Sequence, residues 1–240
     1  MSTQLSSATL VGHGGLYSND SVQLMTLGQK IESADGRIFR YALAGGVTLV
    51  SGNLLQSPAV VAGNQTLTPT AFAIGATSIS VTMGATSVTA NQYAMGYANI
   101  NTTPGNGFAY LISGHAAITN AVAGTINLSD PVQVAGTAAS IVDLVLNPYS
   151  GVLQAPVTTL TGTIVGGAVA PITNAQFGWV QTHGCYSALS SGTAIVGSLL
   201  GGVPSAAGSV TAFTGVLPVV GYTMKVGVDA KNVPVFLQID

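Results

Sequence analysis

His183 and Cys185 are the residues whose types and spacing come nearest to a catalytic pair. Two positions apart on a β-strand, they would share a face, where an imidazole could activate a thiol. Such a pair also needs mutual hydrogen bonding and a third group that orients the imidazole. Because a free cysteine is more often an inert part of the interior, we interpret Cys185 as a packing residue.

The three histidines, His13, His115 and His183, are the candidate metal ligands. Each has a glycine neighbour, and no two have the local spacing of a ligand pair. Cys185 is the only cysteine, which excludes an intrachain disulfide framework and a cysteine-based zinc site. The sequence therefore predicts no metal site.

Carboxylates for glycoside hydrolysis would have to come from Asp130 and Asp143. Asp130 precedes a proline, as at a turn, and Asp143 alternates with apolar neighbours, as on a strand. The chain has no Gly-x-Ser-x-Gly nucleophile motif, and its glycine-rich stretches lack the strand and helix context of a phosphate-binding loop. We expect no catalytic residues, no cofactor and no enzymatic activity.

Charge is scarce along the whole chain. Lys and Arg number 5 and Asp and Glu number 7 in 240 residues, and none lies within 41–129 or 144–224. Soluble domains usually carry about 25% charged residues, which supply both solubility and chemistry. A net charge of −2 also argues against nucleic-acid binding, which requires a basic footprint. The composition indicates a subunit whose surface is covered by its own copies or by partners.

The elements that must position these residues are β-strands. Apolar residues alternate at period two in several runs, such as 79–83 and 142–146, and Gly, Asn, Pro and Ser separate the runs. We predict an all-β fold with β-sandwich or barrel-like domains and an extended N-terminal arm, 1–20. The expected segments are 1–63, with the arm and a β-hairpin, then a β domain at 64–149 and a second one at 150–240.

The clearest hairpin spans 28–43, with Asp35-Gly36 at its turn. It carries most of the charged residues of the N-terminal segment, and we expect Glu32 to pair with an arginine across its strands. The chain has one tryptophan, suited to a core or an interface. The candidate subunit or capsid contacts are Lys30, Glu32, Arg37, Arg40 and Trp179.

The most apolar window, 194–220, is interrupted by glycines and a proline. No uninterrupted apolar run approaches the ~18 residues of a spanning helix. We therefore expect no membrane partner.

Several stretches, in order, resemble head decoration (capsid cement) proteins of tailed bacteriophages. They are 91–97, 106–115, 128–135, 142–152, 177–184 and 234–238. The segment that runs from the first of these stretches through the second, 91–115, departs from the family pattern, because Thr102, Thr103, Asn106 and Phe108 stand where acidic residues are frequent.

The resemblance implies a non-enzymatic virion structural protein, made in the host cytoplasm and located on the outer capsid surface. Such proteins bind as homotrimers at three-fold and quasi-three-fold positions and stabilise contacts between capsomers. The implied partners are further copies of this chain and the major capsid protein. The alternative is a receptor- or carbohydrate-binding fibre or adhesin module, which low charge and β-rich sequence also fit.

Overall fold

The structure, a computed structural model, describes residues 15–157, 159–202, 206–215 and 217–240. Most of the expected N-terminal arm, including His13, lies outside these residues. The described residues form sixteen β-strands and no α-helix, which confirms the predicted all-β class. The strands are β1 (Lys30–Glu32), β2 (Ile38–Ala44), β3 (Leu54–Gln56), β4 (Thr68–Pro69), β5 (Ser78–Thr82), β6 (Tyr97–Ile100), β7 (Ala109–His115), β8 (Ala123–Leu128), β9 (Val142–Val145), β10 (Ser150–Gln154), β11 (Ile164–Ala168), β12 (Phe177–Leu189), β13 (Leu199–Gly202), β14 (Val210–Ala212), β15 (Val219–Thr223) and β16 (Asn232–Gln238).

The chain divides into two compact units rather than the three expected segments. One unit combines Met1–Pro58 with Pro148–Asp240, and the other is Ala59–Asn147. The N-terminal hairpin and the C-terminal segment belong together because β2 pairs with both β10 and β12. Pairing of strands so distant in sequence does not follow from alternation alone.

A closed ring of five strands forms the first part of the larger unit. The order is β2, β10, β3, β11 and β12, and β12 returns to pair with β2. Its interior is filled by small and branched apolar side chains, among them Ala42, Leu55, Val152, Val165 and Val180. β10 and β2 run parallel and the other pairs are antiparallel, and closure pairs the strand edges with one another, as in other β-barrels.

The 13-residue strand β12 also begins a second ring. Its C-terminal half pairs with β16, and the order continues through β15, β13 and β14. A bridge between Ser190 and Val210 brings β14 back beside the end of β12, with Ser191 donating to the Val210 carbonyl at 2.8 Å. A separate apolar cluster that includes Tyr186, Leu200 and Val235 packs within these strands.

The smaller unit is a six-stranded sheet in the order β4, β5, β8, β7, β6 and β9. Leu67, just before β4, exchanges two main-chain hydrogen bonds with Val142 on β9, at 2.8 and 2.9 Å. These two bonds close the sheet into a barrel-like ring around a large apolar core that contains Ile79, Ile112 and Ile126.

Candidate interaction surface

The charged side chains of the hairpin turn bind each other and neighbouring residues of the turn. Asp35 accepts hydrogen bonds from the Ser33 hydroxyl and from Arg37 Nε, the latter at 2.7 Å. The Ser33 hydroxyl and the Arg37 guanidinium together lower the pKa of the Asp35 carboxyl. Gly36, at φ +80°, supplies the left-handed residue that the turn requires. The Asp-Gly turn is therefore where the sequence predicted it.

Arg40 forms its ion pair and its hydrogen bonds with residues of its own chain. Its Nε and Nη2 donate to the two carboxylate oxygens of Asp240 at 2.6 and 2.8 Å, and its Nη1 donates to the Gly28 carbonyl at 2.8 Å. Its guanidinium also lies over the Tyr149 ring, 5.9 Å from the centroid. Asp240 further accepts from the Thr182 hydroxyl at 3.2 Å. The arrangement fastens Asp240, two residues after β16, to β2.

Glu32 is not opposite an arginine, contrary to the expectation from the sequence. The register of β1 on β2 places Lys30 opposite Arg40 and Glu32 opposite Ile38. The two arginines of the hairpin bind Asp35 and Asp240 instead. The expected cross-strand pair between Glu32 and an arginine is wrong, because the three-residue turn sets a register in which neither arginine faces Glu32.

Trp179 lies in the interior, with 1% of its surface exposed. It is opposite Tyr41 on β2, and the two rings meet edge to face at 5.2 Å. The Phe177 ring stacks on the Tyr41 ring, with 5.8 Å between the two centroids. Asp20 packs beside these rings. Its carboxylate accepts a hydrogen bond from the Tyr41 hydroxyl at 2.8 Å, and its main chain forms an isolated β-bridge with Phe177. Trp179 is therefore a core residue within the chain, not an exposed contact residue.

Cys185 is exposed, which corrects its interpretation as an interior packing residue. Gly184, at φ +89°, interrupts the regular backbone just before it. The neighbouring His183 ring instead contacts Phe236 edge to face at 5.1 Å, and its Nδ1 lies 3.1 Å from the Asp240 main-chain oxygen. The His183 imidazole therefore contacts β16 and the residues that follow it.

His115 and Asp143 support the backbone of the smaller unit, whereas Asp130 is exposed. Buried His115 accepts the Tyr93 N–H on Nε2 at 3.0 Å, and its Nδ1 lies 2.7 Å from the Ala116 carbonyl oxygen. A neutral imidazole with its proton on Nδ1 satisfies both contacts. Asp143 accepts from the Thr66 N–H at 2.8 Å and the Asn101 amide at 2.7 Å. Among the described residues, no three His, Cys, Asp or Glu side chains group as metal ligands would.

A further feature of the larger unit is an exposed apolar surface, much of which falls within the apolar window 194–220 of the sequence. Main-chain hydrogen bonds join its segments: Gly197 donates to Thr223 at 2.9 Å, Phe213 to Leu199 at 2.9 Å and Gly227 to Ala194 at 2.8 Å. Its large apolar side chains are 36% to 75% exposed. We call it the 195–228 surface; its residues are Ile195, Val196, Leu199, Phe213, Met224, Val226 and Val228.

The 195–228 surface is large enough to serve as a contact site. At ~60–120 Å² for each fully exposed side chain, its residues present roughly 200–450 Å² of apolar area. Monomeric proteins seldom expose more than a few hundred Å² in one patch, and such patches are often functional. Only the upper end of this estimate reaches the apolar part of one side of a standard protein–protein interface, so further contacts would have to complete the interface. Its only formal charge within 195–228 is Lys225.

The uncharged run 144–224 and the apolar window 194–220 were the available sequence signals for most of this surface. They could not show which of its residues are exposed, because apolar residues at alternate positions look the same whether they face a core or solvent. The part of the chain that the structure describes contains no helical segment with the length and hydropathy of a membrane span. No protein-family model, curated protein or solved structure matches the chain.

Proposed function

We propose that this chain is a non-enzymatic structural protein of a virion, which decorates the outer capsid surface as a homotrimer and stabilises contacts between capsomers. The observation that carries the proposal is the 195–228 surface, an exposed apolar area with a single formal charge. Such a surface binds by burying apolar area, at about 25 cal/mol for each Å².

The distribution of polar groups supports a role in assembly rather than in catalysis. Arg37 binds Asp35, Arg40 binds Asp240, and buried His115 holds the backbone at Tyr93. A catalytic site would need convergent ionisable groups in a cleft, free to act on a substrate. The ordered sequence resemblance to head decoration proteins agrees with this role.

Low charge also suits a subunit that is covered on several sides. Burial of a charged group costs several kcal/mol unless it is paired, so a charge-poor surface loses little on contact. Repetition over a shell adds avidity to contacts that are individually weak.

Two measurements test the proposal. Sedimentation of the purified chain should give the mass of a trimer, and electron microscopy of capsids with and without it should show added density on the outer surface. A monomer that adds no density to capsids would refute the proposal. A capsid of the matching phage type is needed, and an unrelated capsid serves as the specificity control.

A further inference from the structure

We propose that the open edge of β1 binds the same edge of a second copy of this chain, antiparallel and around a two-fold axis through Ile31. β1 is the terminal strand of its sheet and, among the described residues, pairs only with β2. This contact is distinct from the trimer of the proposed function and does not depend on it.

The backbone of β1 is oriented for such a contact. At the two ends of its ladder with β2, Tyr41 donates to Gln29 at 3.1 Å and Ser33 donates to Arg37 at 2.9 Å. Because bonding alternates along an antiparallel strand, the main-chain groups of Lys30 and Glu32 point away from β2. These groups form the open edge.

The side chains of this edge are complementary to themselves. Lys30 and Glu32 lie two positions apart, on the same side of the strand. Neither is a direct partner in the ion pairs of Arg37 with Asp35 or Arg40 with Asp240, although the Lys30 ammonium acts on the Asp240 carboxylate at longer range. In a two-fold pairing centred on Ile31, Lys30 of each copy is opposite Glu32 of the other. Both opposite pairs exchange main-chain hydrogen bonds and bring unlike charges together.

The same charges disfavour the other registers. A shift by two residues in either direction places Lys30 opposite Lys30 or Glu32 opposite Glu32 of the other copy. A parallel arrangement in register also sets like charges side by side, which is unfavourable. Charged edge strands commonly prevent indiscriminate pairing. Here the order Lys-Ile-Glu favours the two-fold register centred on Ile31 over these alternatives, and it makes a second copy of the chain a complementary partner.

A three-residue edge makes a small contact, well below the ~800 Å² per partner of a standard interface. We therefore expect weak association in solution and a larger effect where many copies lie side by side, because avidity multiplies weak contacts. The test must capture the contact covalently.

Disulfide capture tests the register directly. In a Cys185→Ser background, Lys30→Cys and Glu32→Cys variants are oxidised separately and as an equal mixture. Opposite residues of such a pair are ~5.5 Å apart between Cα atoms, within the range of a disulfide. We expect the mixture to form at least ten times more covalent dimer than either variant alone. Equal yields in all three samples would overturn the proposal.

Charge reversal provides an independent check. Lys30→Glu and Glu32→Lys should each weaken self-association at this edge, whereas their mixture restores unlike pairs on both sides of the axis. Sedimentation at one matched high concentration compares the samples, so a trimer formed elsewhere contributes equally to each. The mixture should contain more of the larger species than either variant alone, and identical profiles would contradict the two-fold pairing. Failure of either test leaves capsid binding unaffected, so the two proposals fail separately.

Discussion

Arg40 and Asp240, 200 positions apart in sequence, meet through two charge-assisted hydrogen bonds of 2.6 and 2.8 Å. About three-quarters of each side chain is shielded from solvent. A bidentate pair of this kind is stronger and more directional than a single contact. It joins the hairpin strand β2 to the residue that follows β16 by two positions, and so connects the first and last parts of the larger unit.

Arg40→Ala should lower the free energy of unfolding by about 1–2 kcal/mol, because charge-assisted hydrogen bonds to Asp240 and Gly28 are lost while residual exposure limits the effect. Urea denaturation measures the change. Arg40→Lys should retain only part of the stability, since an ammonium cannot form the planar fork. Equal stability of the wild type and Arg40→Ala would show that the pair contributes nothing.

Asp240 should make the stability of the fold depend on acidity. Its hydrogen bonds with Arg40 lower the pKa of the carboxyl below its ordinary value of 3.8. Because the folded-state pKa is the lower one, the contribution is complete above about pH 4 and is lost as pH falls through the folded-state value. The difference in urea midpoint between wild type and Asp240→Asn should therefore shrink on acidification from pH 7. A difference that stays constant to pH 3 would assign the effect to some other group.

Leu199→Lys should weaken self-association at least tenfold if the 195–228 surface is the trimer contact, because a lysine there would be buried without a partner. Sedimentation at several concentrations measures the change. Ile74→Lys is the matched control, since Ile74 is similarly apolar and 69% exposed but lies on the smaller unit. If both variants associate as the wild type does, the contact lies elsewhere.

His115→Ala should destabilise the smaller unit by about 1–3 kcal/mol, because the buried Tyr93 N–H loses its acceptor. Hydrogen exchange at the Tyr93 amide, together with urea denaturation, measures the effect. His115→Gln, which can supply an acceptor oxygen, should restore part of the stability. Unchanged exchange in the alanine variant would mean that the imidazole does not protect this amide.

Cys185 should react with a maleimide in the folded protein at a rate close to that of a small exposed thiol, because its side chain is exposed. Mass spectrometry of the intact chain counts the adduct, and Cys185→Ser serves as the blank. Labelling only after addition of denaturant would show that the thiol is covered in solution, for example by another copy.

Local sequence was sufficient for the fold class and for the hairpin. Alternation at period two in runs such as 79–83 identifies strands because successive side chains point to opposite faces. Asp35-Gly36 identified the turn because glycine readily adopts the left-handed conformation. Neither signal required knowledge of the rest of the chain.

Tertiary structure alone decided which strands become neighbours and which faces are covered. β12 joins two rings by pairing with β2 and with β16, and Arg40 finds its carboxylate at Asp240; these partners are set by packing of distant segments. The same packing buries Trp179 and leaves Cys185 and the 195–228 surface exposed. Alternation specifies that two faces differ, but only the assembled sheets determine which face meets a core and which meets solvent.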